Sequence, residues 1–285
     1  MDSSTAALAL APDPLAHWLG AHAWQLFALV LPLLAGVVVA LALAWRHPRR
    51  PLRAPDAPSL AWLLATLAVG FGVVVALASG FAEIAEALGD SQALGHWDDS
   101  FSRAVGLHTP LAVQHAFALL TRLADPWPMT VLGVVVALAL WWRGHRVDAA
   151  GWVLAMVGNT LLNLALKQVF ARTRPLHEDG IISASGYSFP SGHSSGAVVA
   201  YGMLAFLACR LLPARWHLPA LVAAALLSVT AAWSRVLLRV HFPSDVLAGL
   251  LSGSSWLAVC ILAVTAAHHH ARVRADRANR SAGLP

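Results

Sequence analysis

Seven apolar runs constrain this chain more than anything else in it, at about 22–45, 59–81, 127–142, 149–167, 193–212, 219–236 and 244–267. A bilayer core of about 30 Å needs roughly 20 helical residues at 1.5 Å each. Six runs meet or approach that length; the third is short unless it begins before Trp127. Pro32 interrupts the first run as a candidate kink, which membrane bundles tolerate. The expected fold is an all-α, polytopic membrane helical bundle. Only 12% of the residues are charged, against about 25% in soluble domains. The net charge of +5 does not point to nucleic acid, because the basic residues fall mostly between spans, where membrane topology accounts for them. Cys209 and Cys260 each lie in an apolar run and are too dispersed for a disulfide framework or a thiolate metal site. No Lys or Arg precedes Arg46, so the start lacks the positive region of a signal peptide.

The loops set an orientation. "RHPRRPLR" follows the first run, "RGHR" the third and "ARVRADRANR" the seventh, and "RLLPAR" spans the end of the fifth. These alternate with Arg-poor loops, which places the N-terminus outside and the C-terminus in the cytoplasm. Trp24, Trp45, Trp127, Trp141, Trp142 and Trp216 fall near span ends, as an interfacial belt would place them. The segment 81–126 is then outside. It reads as one or two amphipathic helices on the outer surface, with Thr109 as N-cap and Pro110 at the first helical position. Phe101 and Val105 have helical spacing there. Glu83 and Glu86 read as a solvated helix end, and the "HHH" at 268–270 as an interfacial tail or adventitious metal ligand.

The orientation gathers three polar blocks on the outer face: "KQVFARTRP" at 167–175, "FPSGHSSG" at 189–196 and "SRVLLRVHFPSD" at 234–245. Ionisable groups at the edge of a span are costly and usually functional. Each block suits a phosphate. Lys167 and Arg174, seven apart, share a face if the helix persists to Pro175. Arg grips phosphate oxygens in pairs and Lys offers a point charge. Of 19 basic residues, Lys167 is the sole lysine. Ser191 and Gly192 open a helix whose free N–H groups face anions, with the Ser191 hydroxyl as a further donor. His241 precedes Asp245 by four residues, so the carboxylate can hold one imidazole nitrogen and leave the other free to attack. Arg172 and Arg239 fall outside this pattern and read as headgroup or solvent contacts.

The three blocks, "K-x6-RP", "PSGH" and "SR-x5-H-x3-D", resemble the signature of the type 2 phosphatidic acid phosphatase (PAP2) family. Its wider superfamily includes bacterial acid phosphatases and vanadium haloperoxidases. The match comprises Lys167, Arg174 and Pro175; Pro190, Ser191, Gly192 and His193; and Ser234, Arg235, His241 and Asp245. The resemblance implies a six-helix core, to which the first span is an addition. It divides the chain into an extra helix with its basic loop (1–58), a phosphatase domain (59–267) and a basic tail (268–285). It implies that His241 attacks phosphorus and forms a phosphohistidine, that Asp245 orients it, and that His193 protonates the leaving oxygen. Lys167, Arg174, Ser191, Gly192 and Arg235 would bind the phosphoryl oxygens, with no metal and no other cofactor, and vanadate would inhibit.

The implied partners are the bilayer and a lipid phosphate or diphosphate. Undecaprenyl diphosphate comes first, since an outward site meets the outer leaflet, followed by phosphatidylglycerophosphate, phosphatidic acid and a lipid A phosphate. The implied location is a bacterial inner membrane with the site facing the periplasm. A phosphotransferase handing the group to a lipid acceptor such as lipid A would use the same site. A transporter or non-catalytic membrane protein fits less well, because the charges gather at one face. A serine protease built on Ser191 or Ser195 leaves three cations without a role.

Overall fold

In the computed structural model, residues 12–45, 60–90, 92–175, 181–182 and 184–281 are described. The basic loop 46–53 used for orientation lies outside them. Among the described residues the regular structure is helical, with no strand: α1 (Pro14–Ala21), α2 (Ala23–Trp45), α3 (Leu60–Asp90), α4 (Gln92–His108), α5 (Leu111–Leu120), α6 (Pro126–Trp142), α7 (Arg146–Phe170), α8 (Gly192–Leu211), α9 (His217–Leu237) and α10 (Pro243–Ser281). Seven stretches are long and apolar enough to cross a membrane: Ala23–Ala44, Leu60–Gly89, Leu111–Trp142, Arg146–Phe170, Gly192–Leu211, Ala214–Leu237 and Pro243–Asp276. The protein is an integral membrane helical bundle.

Three boundaries differ from the sequence reading. The second span runs on to Gly89, with Glu83 and Glu86 exposed on a continuing helix rather than past its end. The third begins at Leu111, because α5 and a 3-10 turn at Thr121–Ala124 lead directly into α6. The seventh continues past 267, and the "HHH" belongs to α10 rather than to a tail: His269 is buried and His268 Nε2 lies 3.0 Å from Asp148. Hydropathy marks where a helix meets lipid, not where its hydrogen bonding stops.

The amphipathic helix α4 is also placed differently. Its Phe101, Ala104 and Val105 are buried in the protein, packed with Ala16 and Ala23 of the N-terminal segment and with Leu237 and Val240. Thr109 does not cap α5. Its N–H closes α4 on Val105 at 3.0 Å, and Pro110, with ψ 142°, takes the N-cap place. Pro110 is itself extended, so α5 begins one residue later than the Thr–Pro pattern predicts.

The first span packs along α9, where Trp233 Nε1 donates to the Ala23 carbonyl at 3.0 Å, and its Phe27 also meets Phe117 of α5 edge to face. The main core lies between α6, α7, α8 and α10 around Trp152, Met203 and Cys260. Trp127, Trp141, Trp142 and Trp216 are exposed at the bundle surface. Helices α8 and α10 touch backbone to backbone. A Cβ on Gly249 would stand 2.5 Å from the Ser191 carbonyl oxygen, and one on Gly253 would stand 2.7 Å from Ser195 Cα. Small residues four apart permit this close approach between membrane helices. It sets the start of α8 against the first turns of α10.

Candidate active site

The first block does not stay helical. Helix α7 ends at Phe170, and Ala171 turns the chain with φ 44°, ψ 31°, the left-handed conformation that commonly stops a helix. Lys167 and Arg174 therefore do not share a helix face, yet both reach the same carbonyl. Lys167 Nζ donates to the Tyr187 oxygen, and Arg174 donates to it at 3.2 Å. Arg174 also donates to the carbonyls of Gly186 and Ser185 at 3.0 Å each and of Val240 at 2.7 Å. These bonds fix a guanidinium that no helix holds. Burial pushes it below its usual pKa, with the charge of Asp245 acting the other way.

The third block folds back as α9 ends. The N–H groups of Val240 and His241 return to the Arg235 carbonyl at 3.1 and 3.2 Å, and α10 starts at Pro243. His241 is only 3% exposed. Its Nε2 lies 3.0 Å from Arg174 Nη1, which can only donate. The Nε2 lone pair is therefore the acceptor, and the ring proton belongs on Nδ1. Burial pushes the imidazole down to about 3, with Arg174 and Arg235 adding to the effect and the bond and charge of Asp245 opposing it. The ring is neutral at working pH.

Asp245 is fully buried but 3.5 Å from Nδ1, longer than a good hydrogen bond. Ser188 fills the gap. Its hydroxyl is 3.3 Å from Nδ1 and donates a short bond to Asp245 Oδ2. The same oxygen takes the Phe242 N–H at 2.9 Å. The other oxygen takes Arg172 Nη1 at 2.7 Å.

Arg172, read from sequence as a headgroup or solvent contact, is thus an internal bridge. Its second nitrogen binds Asp98 at 2.8 Å, and its guanidinium lies over the Phe242 ring at 4.3 Å. Asp98 is itself fully buried and also binds Ser244. Burial raises its pKa, while the bonds from Ser244 and Arg172 hold it down. The charge is satisfied inside the protein, which a two-residue offset from Arg174 does not reveal.

A cavity of about 840 Å³ is lined by Lys167, Arg174, Gly192, His193, Arg235 and His241, so six of the sequence-predicted residues face one space. Arg235 donates to Thr121 at 2.9 Å and keeps a buried Nε without a partner among the described residues. His193 Nε2 lies 2.8 Å from Asp125, at the start of α6. Ser191 and Asp245 are not among the lining residues. Ser191 caps α8 by accepting from the Ser194 N–H at 3.4 Å and from its hydroxyl at 2.9 Å. Asn163 steadies this turn, donating to the Pro190 carbonyl at 3.4 Å. A second, apolar cavity of about 560 Å³ between α6 and α7 shares Pro126, Gly192 and His193 with the first.

The space therefore offers three cations, a neutral imidazole whose Nε2 lone pair meets one of them at the cavity wall, and a second imidazole paired with a carboxylate. That set can hold a tetrahedral dianion, attack it and protonate what leaves.

Comparison with known proteins agrees with this chemistry. The PAP2 superfamily profile matches residues 148–268. Phosphatidylglycerophosphatase B of Bacillus subtilis (strain 168) is 28% identical over 158 residues, covering 55% of this chain and 77% of its own. "Putative undecaprenyl-diphosphatase YbjG" of Escherichia coli (strain K12) is 34% identical over 129 residues, 42% of this chain and 60% of its own. The crystal structure of a transmembrane PAP2-type phosphatidylglycerolphosphate phosphatase from Bacillus subtilis superposes with a TM-score of 0.61 at 27% identity, over 66% of this chain and 93% of that one. A helical membrane bundle, a cation-lined cavity with two imidazoles on it, and these matches lead to one assignment: residues 148–268 match the PAP2 superfamily, and the chain is a phosphatase similar to its members.

Proposed function

We propose that the protein hydrolyses a phosphomonoester or diphosphate of a membrane lipid, with a polyprenyl diphosphate such as undecaprenyl diphosphate as first choice. The observation that carries this reading is His241. It is a neutral imidazole whose Nε2 meets Arg174 in a cavity also lined by Lys167, Arg235 and His193.

Nε2 attacks phosphorus, and the bond from phosphorus to the leaving oxygen breaks. The electron pair goes to that oxygen, and His193 supplies a proton. The imidazole becomes cationic as the P–N bond forms, and Ser188 and Asp245 stabilise that charge. Water then attacks the phosphohistidine with His193 taking its proton, the P–N bond breaks, and phosphate leaves. Lys167, Arg174 and Arg235, with the N–H groups near Gly192, hold the equatorial oxygens. Charge stabilisation of this kind is the main task in phosphoryl transfer. Three side-chain cations supply it without a metal ion.

The apolar cavity that adjoins His193 suits a lipid chain, and the relatives named for lipid phosphates support a lipid substrate. In this reading the phosphatase unit is 59–267, the membrane is a bacterial inner membrane, and the site faces outward. The test is phosphate release by purified protein from undecaprenyl diphosphate, phosphatidylglycerophosphate, phosphatidic acid and a lipid A phosphate, with and without EDTA. Release from a lipid that survives EDTA is expected. Loss in EDTA with recovery on adding Mg²⁺ would overturn the metal-free mechanism.

A further inference from the structure

We propose that Arg122 binds the non-scissile phosphate of a lipid diphosphate, which makes it the residue that favours diphosphates over monophosphates at this site. The inference rests on the phosphatase reading above and adds the substrate class. Arg122 lies in the 3-10 turn Thr121–Ala124 and lines the same cavity as the catalytic cluster.

Both flanks of the turn are tied to that cluster. Thr121 Oγ1 accepts from Arg235 at 2.9 Å, and Asp125 meets His193 at 2.8 Å. Arg122 therefore sits in a turn anchored on one side to Arg235 and on the other to the histidine that protonates the leaving oxygen. Its side chain is exposed, and its guanidinium has no hydrogen bond among the described residues. By contrast, Arg174 and Arg235 are already anchored to the protein.

The chemistry of the leaving group explains why a fourth cation belongs there. When His241 attacks the terminal phosphorus of a diphosphate, the bridging P–O bond breaks and its electron pair passes to a lipid monophosphate. That product carries negative charge and needs a cation more than it needs a proton. A monoester releases an alcohol oxygen, which needs the proton from His193 and presents no anion to Arg122. The cavity of about 840 Å³ has room beyond a single phosphoryl group. Past His193 it adjoins the apolar cavity between α6 and α7, in line with a lipid tail beyond the second phosphate.

The experiment uses the full chain in detergent with a polyprenyl diphosphate and the matched monophosphate. The readout is the ratio of kcat/KM values. If the monophosphate is not turned over, its Ki as a competitor is set against the KM of the diphosphate. A lost charge-assisted hydrogen bond is worth a factor of about ten or more. Arg122→Gln should shift the ratio against the diphosphate by that factor, and Arg122→Lys should restore most of it. A ratio unchanged within about twofold, or a loss that Arg122→Lys does not relieve, overturns the role of Arg122 and leaves the phosphatase reading intact. Wild-type turnover of the monophosphate alone does the same. Turnover of neither lipid, nor of any other lipid phosphate, removes the phosphatase reading and this inference with it.

Discussion

Asp245 and Asp148 are two buried aspartates with nearly the same company and different consequences. Each has an arginine and a histidine beside it. Asp148 lies in the first turn of α7, about 28 Å along the helix from Lys167 at 1.5 Å per residue. Arg210 and His268 converge on one of its oxygens at 3.3 and 3.0 Å. There the three groups satisfy one another. At Asp245 the contacts are divided: Arg172 holds one oxygen, while Ser188 and Phe242 hold the other. His241 is aligned by this set but turns its second nitrogen toward Arg174 and the cavity. An Asp–His–Arg cluster is not in itself a catalytic device. What distinguishes the Asp245 end is that its histidine turns its second nitrogen to Arg174 at the wall of a cavity that Lys167 and Arg235 also line.

The largest effect should come from exchanging the two histidines for alanine. If His241 is the nucleophile as proposed, His241→Ala should lower turnover by a factor of about 10³ or more and leave no labelled phosphoenzyme. His268→Ala should keep activity within a few-fold. Comparable losses in both would erase the distinction drawn here.

A smaller effect should separate the two arginines. Lysine keeps the charge but cannot bridge two carboxylates as the planar guanidinium does. Arg172→Lys should lower kcat by roughly ten- to a hundredfold through misplacement of Asp245 and His241, with KM little changed. Arg210→Lys should affect thermal stability and not the ratio of kcat to KM. A rise in KM with unchanged kcat for Arg172→Lys would mean that it contacts substrate instead.

The smallest effect is in the pH dependence of stability. The folded protein holds His241 neutral down to about 3, against 6.5 for a free imidazole. The unfolded chain therefore binds a proton first, so this group costs stability as pH falls from about 6.5 toward 3. Asp98 acts in the opposite sense, because its raised pKa favours proton uptake by the folded state as pH falls. Melting temperatures in detergent should decline less steeply on the acid side for His241→Asn and more steeply for Asp98→Asn. An unchanged slope in His241→Asn would show that the ring is not buried neutral.

The spans and the three blocks were legible because apolar length and scarce charge are local properties. The residues that hold the cavity-lining groups in place were not. Arg172 and Arg174 would point about 200° apart on a continuous helix, so only one could serve a site on one face. The left-handed turn at Ala171 removes that constraint, and alanine gives no warning of it. Ser188 lies one residue outside a recognised block, and its role depends on the fold bringing Asp245 to it. Asp125 looks like a helix cap, yet it makes no side-chain cap bond and faces His193 instead. Asp98 did leave a trace. With Phe101, Ser102 and Val105 it forms an i, i+3, i+4, i+7 stripe, and a carboxylate on the buried stripe of an amphipathic helix requires a buried partner.

The close contact of α8 with α10 also bears on engineering. Replacing a helical glycine by alanine is a routine stabilising change, worth up to about 1 kcal/mol from helix propensity alone. Gly36 and Gly72 would accept it, since an added Cβ meets nothing within 4 Å at either position. At Gly249 and Gly253 the new methyl would strike the backbone of Ser191 and Ser195, which cannot yield as a side chain could. A stabilisation campaign guided by propensity would therefore succeed at the lipid-facing helices. At the α8–α10 crossing the same rule would push Gly192 and His193 away from Asp245, so a more helical sequence there would give a poorer enzyme.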